Sequence, residues 1–391
     1  MKQLFFVVIA LLVLSSCKDD EPIKLPDLSP QQLFEKFRTN VVLIKNKSYF
    51  KITFEDNTVG YFTSIYEGEN IDFTLDETEA KKYAHENSGT GFFIGNDGII
   101  ATNMHVVVPS ESMISKINFH QSIIESLQQT RDFAFNHLDY CVTLLKKTHP
   151  EDSAYLKSSI PATVLYAMSS NKEDIDEDDY RKPNDTSLNY LHHQIDSLVK
   201  QKEKLETLSS QKFKIEVVTA ELSIQIDASS NNFNTIPCHL YSLSQDKNID
   251  LALIQTNTQT KPTGVKEGIN LSPKQNNGGL GNTIGIKDTL KVTTPLYLIG
   301  YNYGDEIAKT ADGIKVQLTK GEVIQENDPI RVLYSIPTLP GSSGSPVFNK
   351  KGQIVAINYC GYNQKENFNY GIMSWHLKNL INAKPKLLIE E

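Results

Sequence analysis

A mainly β chain carrying a large α-helical insertion is the fold class this sequence predicts. Three observations carry the expectation. Short β-branched or aromatic runs broken by turn residues fill residues 40–102 and resume at 213. Between them, residues 109–212 repeat apolar side chains at helical spacing. No internal repeat or low-complexity tract suggests another plan. Many short strands with frequent turns imply a barrel or a sandwich, with the helical block inserted into it.

The elements follow in order. Lys2 precedes an apolar run from Leu4 to Leu14, too short to span a bilayer, and its flanks read as a secretory signal over residues 1–16. Leu14-Ser15-Ser16-Cys17 resembles a bacterial lipobox, so Cys17 is the expected lipidation site. Residues 17–30 then read as a polar, proline-bearing tether. The acidic start after Cys17 resembles a signal for carriage to the outer membrane of a Gram-negative cell, with exposure on its surface.

NVVLIKN, SYFKITFE, VGYFTSI and GTGFFIG are strand candidates, and Asn96-Asp97-Gly98 between GFFI and IIAT is a hairpin signal. In the helical block, Ile114, Ile117, Ile124 and Leu127 share one face, as do Leu138, Cys141, Val142 and Leu145. A second stripe runs through Leu188, Leu191, Ile195, Leu198, Val199 and Leu205, most simply a core face. Asp174, Asp176 and Asp178 alternate as calcium ligands do, but the glycine and distal glutamate of an EF-hand loop are missing, so a solvated loop is expected. Strands resume at FKIEVVTAELSIQID and continue through LALIQ, PLYLIGY, GIKVQLTKGEVI, RVLYSI, SPVF and QIVAINY, and SWHLKNLINAK closes as a helix.

Composition narrows the partners. A net charge of −8 with no basic block argues against nucleic acid. Beyond Cys17 there are Cys141, Cys238 and Cys360, which allow at most one disulfide. His192 and His193 are adjacent in the long helix and face different directions. His149, His239 and His376 lack ligand-like neighbours, so neither metal nor cofactor is expected. A chain of 391 residues suggests two or three structural units, and its oligomeric state is open.

LPGSSGSPVF, residues 339–348, raises the question of chemistry. A serine nucleophile needs a base to take its proton and a third group to hold that base. His105 follows directly on a strand end, and Asp250 stands directly ahead of an apolar strand, which makes them the candidates for Ser343. Gly-Thr-Gly-Phe-Phe-Ile with Thr-Asn-Met-His-Val-Val, then Asp-Leu-Ala-Leu, then Gly-Ser-Ser-Gly-Ser-Pro, in the order His, Asp, Ser, resembles the chymotrypsin-type bacterial serine proteases. The HtrA/Deg group and the glutamyl endopeptidases are the nearest in motif, over about residues 31–108 and 213–385.

The resemblance implies a chymotrypsin-like double six-stranded β-barrel. The first barrel comprises residues 31–108 and 213–260, the insertion 109–212, and the second barrel with its closing helix 261–391. It implies an endopeptidase acting on proteins or peptides, with Ser343 as nucleophile, His105 as base and Asp250 holding it. The amides of Gly341 and Ser343 are the implied oxyanion hole.

Departures from the family pattern matter too. Trypsin-like zymogens carry an aspartate before the nucleophile that pairs with a freshly cut N-terminus; here it is Ser342, so other contacts must hold the turn. Pro337 stands where trypsin has its pocket aspartate, and Asn358 where glutamyl endopeptidases carry a histidine. With Thr338, Tyr359 and Cys360, these imply a neutral, narrowed pocket for small or aliphatic residues on the acyl side. No PDZ module of the HtrA kind is expected.

A competing reading keeps the scaffold but makes the protein a surface-binding lipoprotein, with the insert as its interaction surface. An esterase is disfavoured because α/β-hydrolases order their triad Ser, Asp, His. Both roots of the insert, at residue 109 and at FKIEVV, are expected near the cleft, where it could gate access.

Overall fold

The computed structural model describes residues 26–62, 73–108, 119–152, 155, 185–208, 211–227, 235–266, 269, 290–361 and 368–383. The signal segment, Cys17, Ile114, Ile117 and Asp174, Asp176 and Asp178 lie outside the described residues.

The first sheet comprises β1 (Val41–Phe54), β2 (Val59–Phe62), β3 (Phe73–Thr74), β4 (His85–Ile94), β5 (Ile99–Thr102), β6 (Phe213–Ile226), β7 (Ile236–Leu243) and β8 (Ala252–Thr256). Its order β1-β4-β5-β8-β7-β6 returns to β1, because β6 pairs with β1 from Val42↔Ile226 to Phe54↔Phe213. Six strands thus close into a barrel, and closure leaves no open edge. NVVLIKN and SYFKITFE are one continuous strand here, since no turn residue separates them; a register shift between Lys47 and Ser48 marks the junction. The hairpin at Asn96–Gly98 forms as expected, with Gly95 and Gly98 at positive φ.

The second sheet uses β9 (Pro295–Gly300), β12 (Gln317–Glu322), β13 (Arg331–Tyr334), β14 (Pro346–Phe348), β15 (Ile354–Gly361) and β16 (Asn369–Met373), in the order β12-β9-β14-β15-β16-β13. A small ribbon of β10 (Lys309–Thr310) and β11 (Gly313–Ile314) stands apart. The six-stranded sheet curls until its edge strands touch at the Val323↔Tyr334 bridge, beside a bond from Ser335 N–H to Glu322 O. The fold is chymotrypsin-like: one closed barrel and one curled half-barrel.

Strand alternation explains why both units pack together. In β1, Val42 and Ile44 fill the first barrel, while Val41 and Leu43 face the second unit. In β9, Leu296 and Leu298 fill the second unit, while Tyr297 and Ile299 face the first. The shared core between them also takes Leu33 and Phe37 of helix α1 (Pro30–Phe37), whose Phe37 ring stacks on Phe348 at 4.5 Å. Helix α1 is absent from the sequence reading, although Ser29 and Gln32 form a capping box. Helix α2 (Glu77–Lys82) is short and peripheral.

The helical insertion contributes α4 (Phe119–Thr148) and α5 (Asp185–Leu208). Leu138, Cys141, Val142 and Leu145 meet Leu191, Ile195, Leu198 and Val199, as the two stripes predict. Leu205 and Leu208 join another cluster, with Ile52, Phe54, Phe62 and Phe73 at the far end of β1. That overturns one expectation. The outgoing root lies beside His105, but the chain returns where Phe213 pairs with Phe54. Asn46, whose amide caps the Val106 and Val107 carbonyls next to His105, is eight residues back along β1. At about 3.3 Å per residue, the returning root sits about 26 Å from that point.

Candidate active site

His105 lies on α3 (Met104–Val107), a single turn entered from Asn103 at the end of β5. Val106 and Val107 are buried in the first barrel, which leaves His105 half-buried at its rim. Asp250 sits between Ile249 and Leu251, both anchored in the core shared by the two units. Alternation turns its carboxylate the other way, and β8 begins beside β5, with Thr102 opposite Ala252. Asp250 Oδ1 accepts the His105 backbone N–H at 3.0 Å, Asp250 Oδ2 bonds His105 Nδ1, and Asn103 Nδ2 donates to the Asp250 carbonyl at 2.7 Å. Ring and backbone of His105 are therefore both fixed by one carboxylate.

Ser343 comes from the second sheet, on the turn ahead of β14. Between Gly341 and Phe348 it alone is not buried. Its hydroxyl donates to the Tyr359 carbonyl at 3.2 Å, and the Tyr359 ring lies edge-on to the His105 ring, 6.4 Å between centroids. Tyr359 thus links the two residues, meeting the serine through its carbonyl and the histidine through its ring. Pro340 and the positive-φ Gly341 make Leu339–Ser342 a type II turn, closed by Ser342 N–H to Leu339 O at 3.0 Å. A Cβ on Gly341 would lie 2.4 Å from Gly304 N and 2.6 Å from Tyr301 O, so backbone packing as well as φ demands glycine. Among the described residues, neither the Gly341 nor the Ser343 N–H has a protein partner.

The pocket expectation is corrected in part. Pro337 is exposed and Thr338 half-buried, but Asn358 is 1% exposed and faces inward. Its Nδ2 donates to Ser342 O at 3.0 Å and to Ser342 Oγ at 3.1 Å, and its Oδ1 accepts the Tyr334 hydroxyl at 2.8 Å. With every polar atom engaged, Asn358 braces the serine turn and offers nothing to a substrate. The backbone of Cys360 lies in β15, opposite Tyr370, and its side chain is outside what is described.

Sequence reasoning gave no role to Thr90, Asn103, Asn302 or Tyr334, all of which touch this constellation. Thr90 and Asn103 stand inside the quoted motifs, which is the only signal that could have drawn attention to them.

The profile of the trypsin-like peptidase domain matches residues 198–357, a span that holds Asp250 and Ser343; His105 lies on the other side of the insertion. The glutamyl endopeptidase of Staphylococcus epidermidis is 27% identical over 128 residues, 31% of this chain and 43% of that protein. Exfoliative toxin A of Staphylococcus aureus is 30% identical over 125 residues, 30% of this chain and 42% of the toxin. The matched stretch thus spans less than half the length of these relatives. The solved serine endoprotease of Yersinia pestis aligns over 92% of this chain and 66% of its own, at 11% identity and a TM-score of 0.39. Motif order and family profile point the same way: residues 198–357 match a trypsin-like peptidase domain, and the chain is similar to the chymotrypsin-fold serine proteases.

Proposed function

We propose that the protein is a serine endopeptidase that hydrolyses peptide bonds through Ser343, His105 and Asp250. The observation that supports this reading is the His105–Asp250 pair, linked through Tyr359 to the one unburied serine of a turn whose Gly341 and Ser343 amides have no partner among the described residues.

Ser343 Oγ swings from the Tyr359 carbonyl towards His105 Nε2, which takes its proton as the oxygen attacks the scissile carbonyl. The vacated Tyr359 carbonyl is then available to accept a substrate backbone N–H. Asp250 accepts from Nδ1–H, fixing the tautomer and stabilising the imidazolium that forms. Charge developing on the carbonyl oxygen meets the Gly341 and Ser343 amides, each worth about 3 kcal/mol in the transition state. His105 returns the proton to the leaving amine as the C–N bond breaks. It then deprotonates the water that hydrolyses the acyl-serine.

With Pro337 exposed and Asn358 sequestered, no charged side chain among the expected pocket residues is placed to select Arg, Lys or Glu, which favours small or aliphatic residues on the acyl side. Export and lipid attachment at Cys17 complete the proposal and rest on the leader alone.

Fluorophosphonate labelling of the wild type, with the adduct mapped to Ser343 and lost in Ser343→Ala, tests the core of it. The unlabelled enzyme profiled on a peptide library should prefer Val, Ala or Leu before the cut; dominant Arg, Lys or Glu would refute the pocket reading. The mass of the mature N-terminus reports whether Cys17 carries lipid.

A further inference from the structure

The turn that bears Ser343 has an unusually complete set of backbone ties. Five consecutive carbonyls, from Leu339 to Ser343, each accept a hydrogen bond from the protein. Leu339 O takes the Ser342 N–H and hydroxyl, and Pro340 O takes the Tyr303 N–H at 2.6 Å. Gly341 O takes the Thr90 hydroxyl at 2.8 Å. Ser342 O takes the Asn358 amide and the Ser345 hydroxyl, and Ser343 O takes the Thr90 N–H at 2.8 Å. The amides behave differently. Leu339 N–H donates to Asn302 Oδ1 at 3.1 Å and Ser342 N–H closes the turn, but those of Gly341 and Ser343 have no partner among the described residues.

This asymmetry has a mechanical meaning. Pro340 C=O and Gly341 N–H belong to one peptide and point in opposite directions. A donor on Pro340 O therefore aims the Gly341 N–H out of the protein. Flipping that peptide would convert the turn to type I and remove one oxyanion donor. Two neighbouring peptides resist the flip, because Thr90 pins Gly341 O from the first barrel and Asn358 pins Ser342 O from the second sheet. Thr90 is fully buried and its hydroxyl also accepts the Tyr301 N–H at 3.0 Å, so it is itself fixed. Asn358 is fixed by the Tyr334 hydroxyl. None of these ties involves a charge or a chain terminus.

We propose that Thr90 and Asn358 are positioning residues that lock the Leu339–Ser343 turn with its Gly341 and Ser343 amides facing the cleft, so that the site is competent without a newly cut N-terminus. The inference rests on the endopeptidase reading above and adds a claim about what organises that site. Ser342, lacking the carboxylate that would pair with such a terminus, becomes one member of a neutral buried network.

Thr90→Val keeps shape but removes the hydroxyl, and Thr90→Ser restores it. Asn358→Leu removes the donor to Ser342. The full chain, never exposed to an activating protease, should turn over a small peptide amide. Both disruptive variants should lower kcat about 10- to 100-fold with KM within about 2-fold. A peptide aldehyde, whose hemiacetal oxygen occupies the oxyanion position, should lose affinity by a similar factor, and Thr90→Ser should recover most of it. Folded variants with wild-type kcat, or a raised KM at unchanged kcat, would overturn the proposal, as would wild type that gains activity only after cleavage. If Asn358→Leu fails to fold, Thr90→Val and its serine control decide. Failure of the wild type to take up fluorophosphonate would instead sink the endopeptidase reading itself.

Discussion

His105 and Asp250 stand just beyond the ends of adjacent strands of one sheet, whereas Ser343 stands on a turn tied down by both sheets. The proposed base and its partner follow from local topology: β5 ends at Thr102, β8 begins opposite it, and the two side chains meet within a few residues of that pair. The serine turn has no such local guarantee. Its ties come from Thr90 in β4, from Asn302 after β9 and from Asn358 in β15. One half of the site is therefore as robust as a single sheet, and the other depends on how two units dock. Even the close packing shows this, since a Cβ on Gly344 would lie 2.0 Å from Thr90 O across the junction.

Gly341→Ala should expose the difference most sharply. The added methyl has only backbone to meet, at 2.4 and 2.6 Å, and the residue's φ of 89° is unfavourable for alanine. The turn must rearrange and lose the Gly341 amide, with kcat falling about 100- to 1000-fold while the His105–Asp250 pair stays intact. Steady-state kinetics show the first effect. The second is checked by the low-field proton resonance of the histidine–carboxylate bond, which should survive in the variant.

Which parts were legible in the sequence follows the same division. Ser343, His105 and Asp250 could be proposed from the sequence because a serine-protease triad restricts each position to one or two residue types in a fixed order. The ties were not, because Thr90, Asn302 and Asn358 reach the turn from separations of 251, 37 and 16 residues, and any small polar side chain looks alike in text. Asn358 was misplaced for a related reason: alignment with a pocket-wall position says nothing about which way a side chain turns. Strand β7 went unread because Pro237 and Cys238 interrupt its alternation, and β1 was split at Lys47–Ser48, where the chain only bulges. The helical stripes were legible as a mutual core, but not the place where α5 returns to the sheet, because pairing register is tertiary information.

A milder perturbation tests the docking side of the contrast. Lys45 on β1 bonds Asp305 Oδ2 at 2.9 Å, at the start of α6 (Asp305–Ala308) and beside the Gly304 that backs Gly341. The lysine ammonium holds the Asp305 carboxyl below its ordinary value. A depressed carboxyl stabilises the fold above its unfolded pKa and loses that contribution as pH falls through the lower folded value. The pair is therefore intact at neutral pH and lost only below about pH 4. Because Asp305 is 43% exposed, Asp305→Asn should cost under about 1 kcal/mol at pH 7, and less at pH 3. Denaturant melts at the two pH values make the comparison; an equal cost at both would remove the ion pair from the account.

The central claim is that residues from the two halves act as one catalytic unit, and a double-mutant cycle on peptide hydrolysis tests it most directly. Ser343→Ala and His105→Ala should each lower kcat by about 10⁴-fold or more, and the double variant should be no worse than either single one, because either loss already disables the unit. Substantial turnover by Ser343→Ala, or single losses that multiply in the double variant, would contradict it.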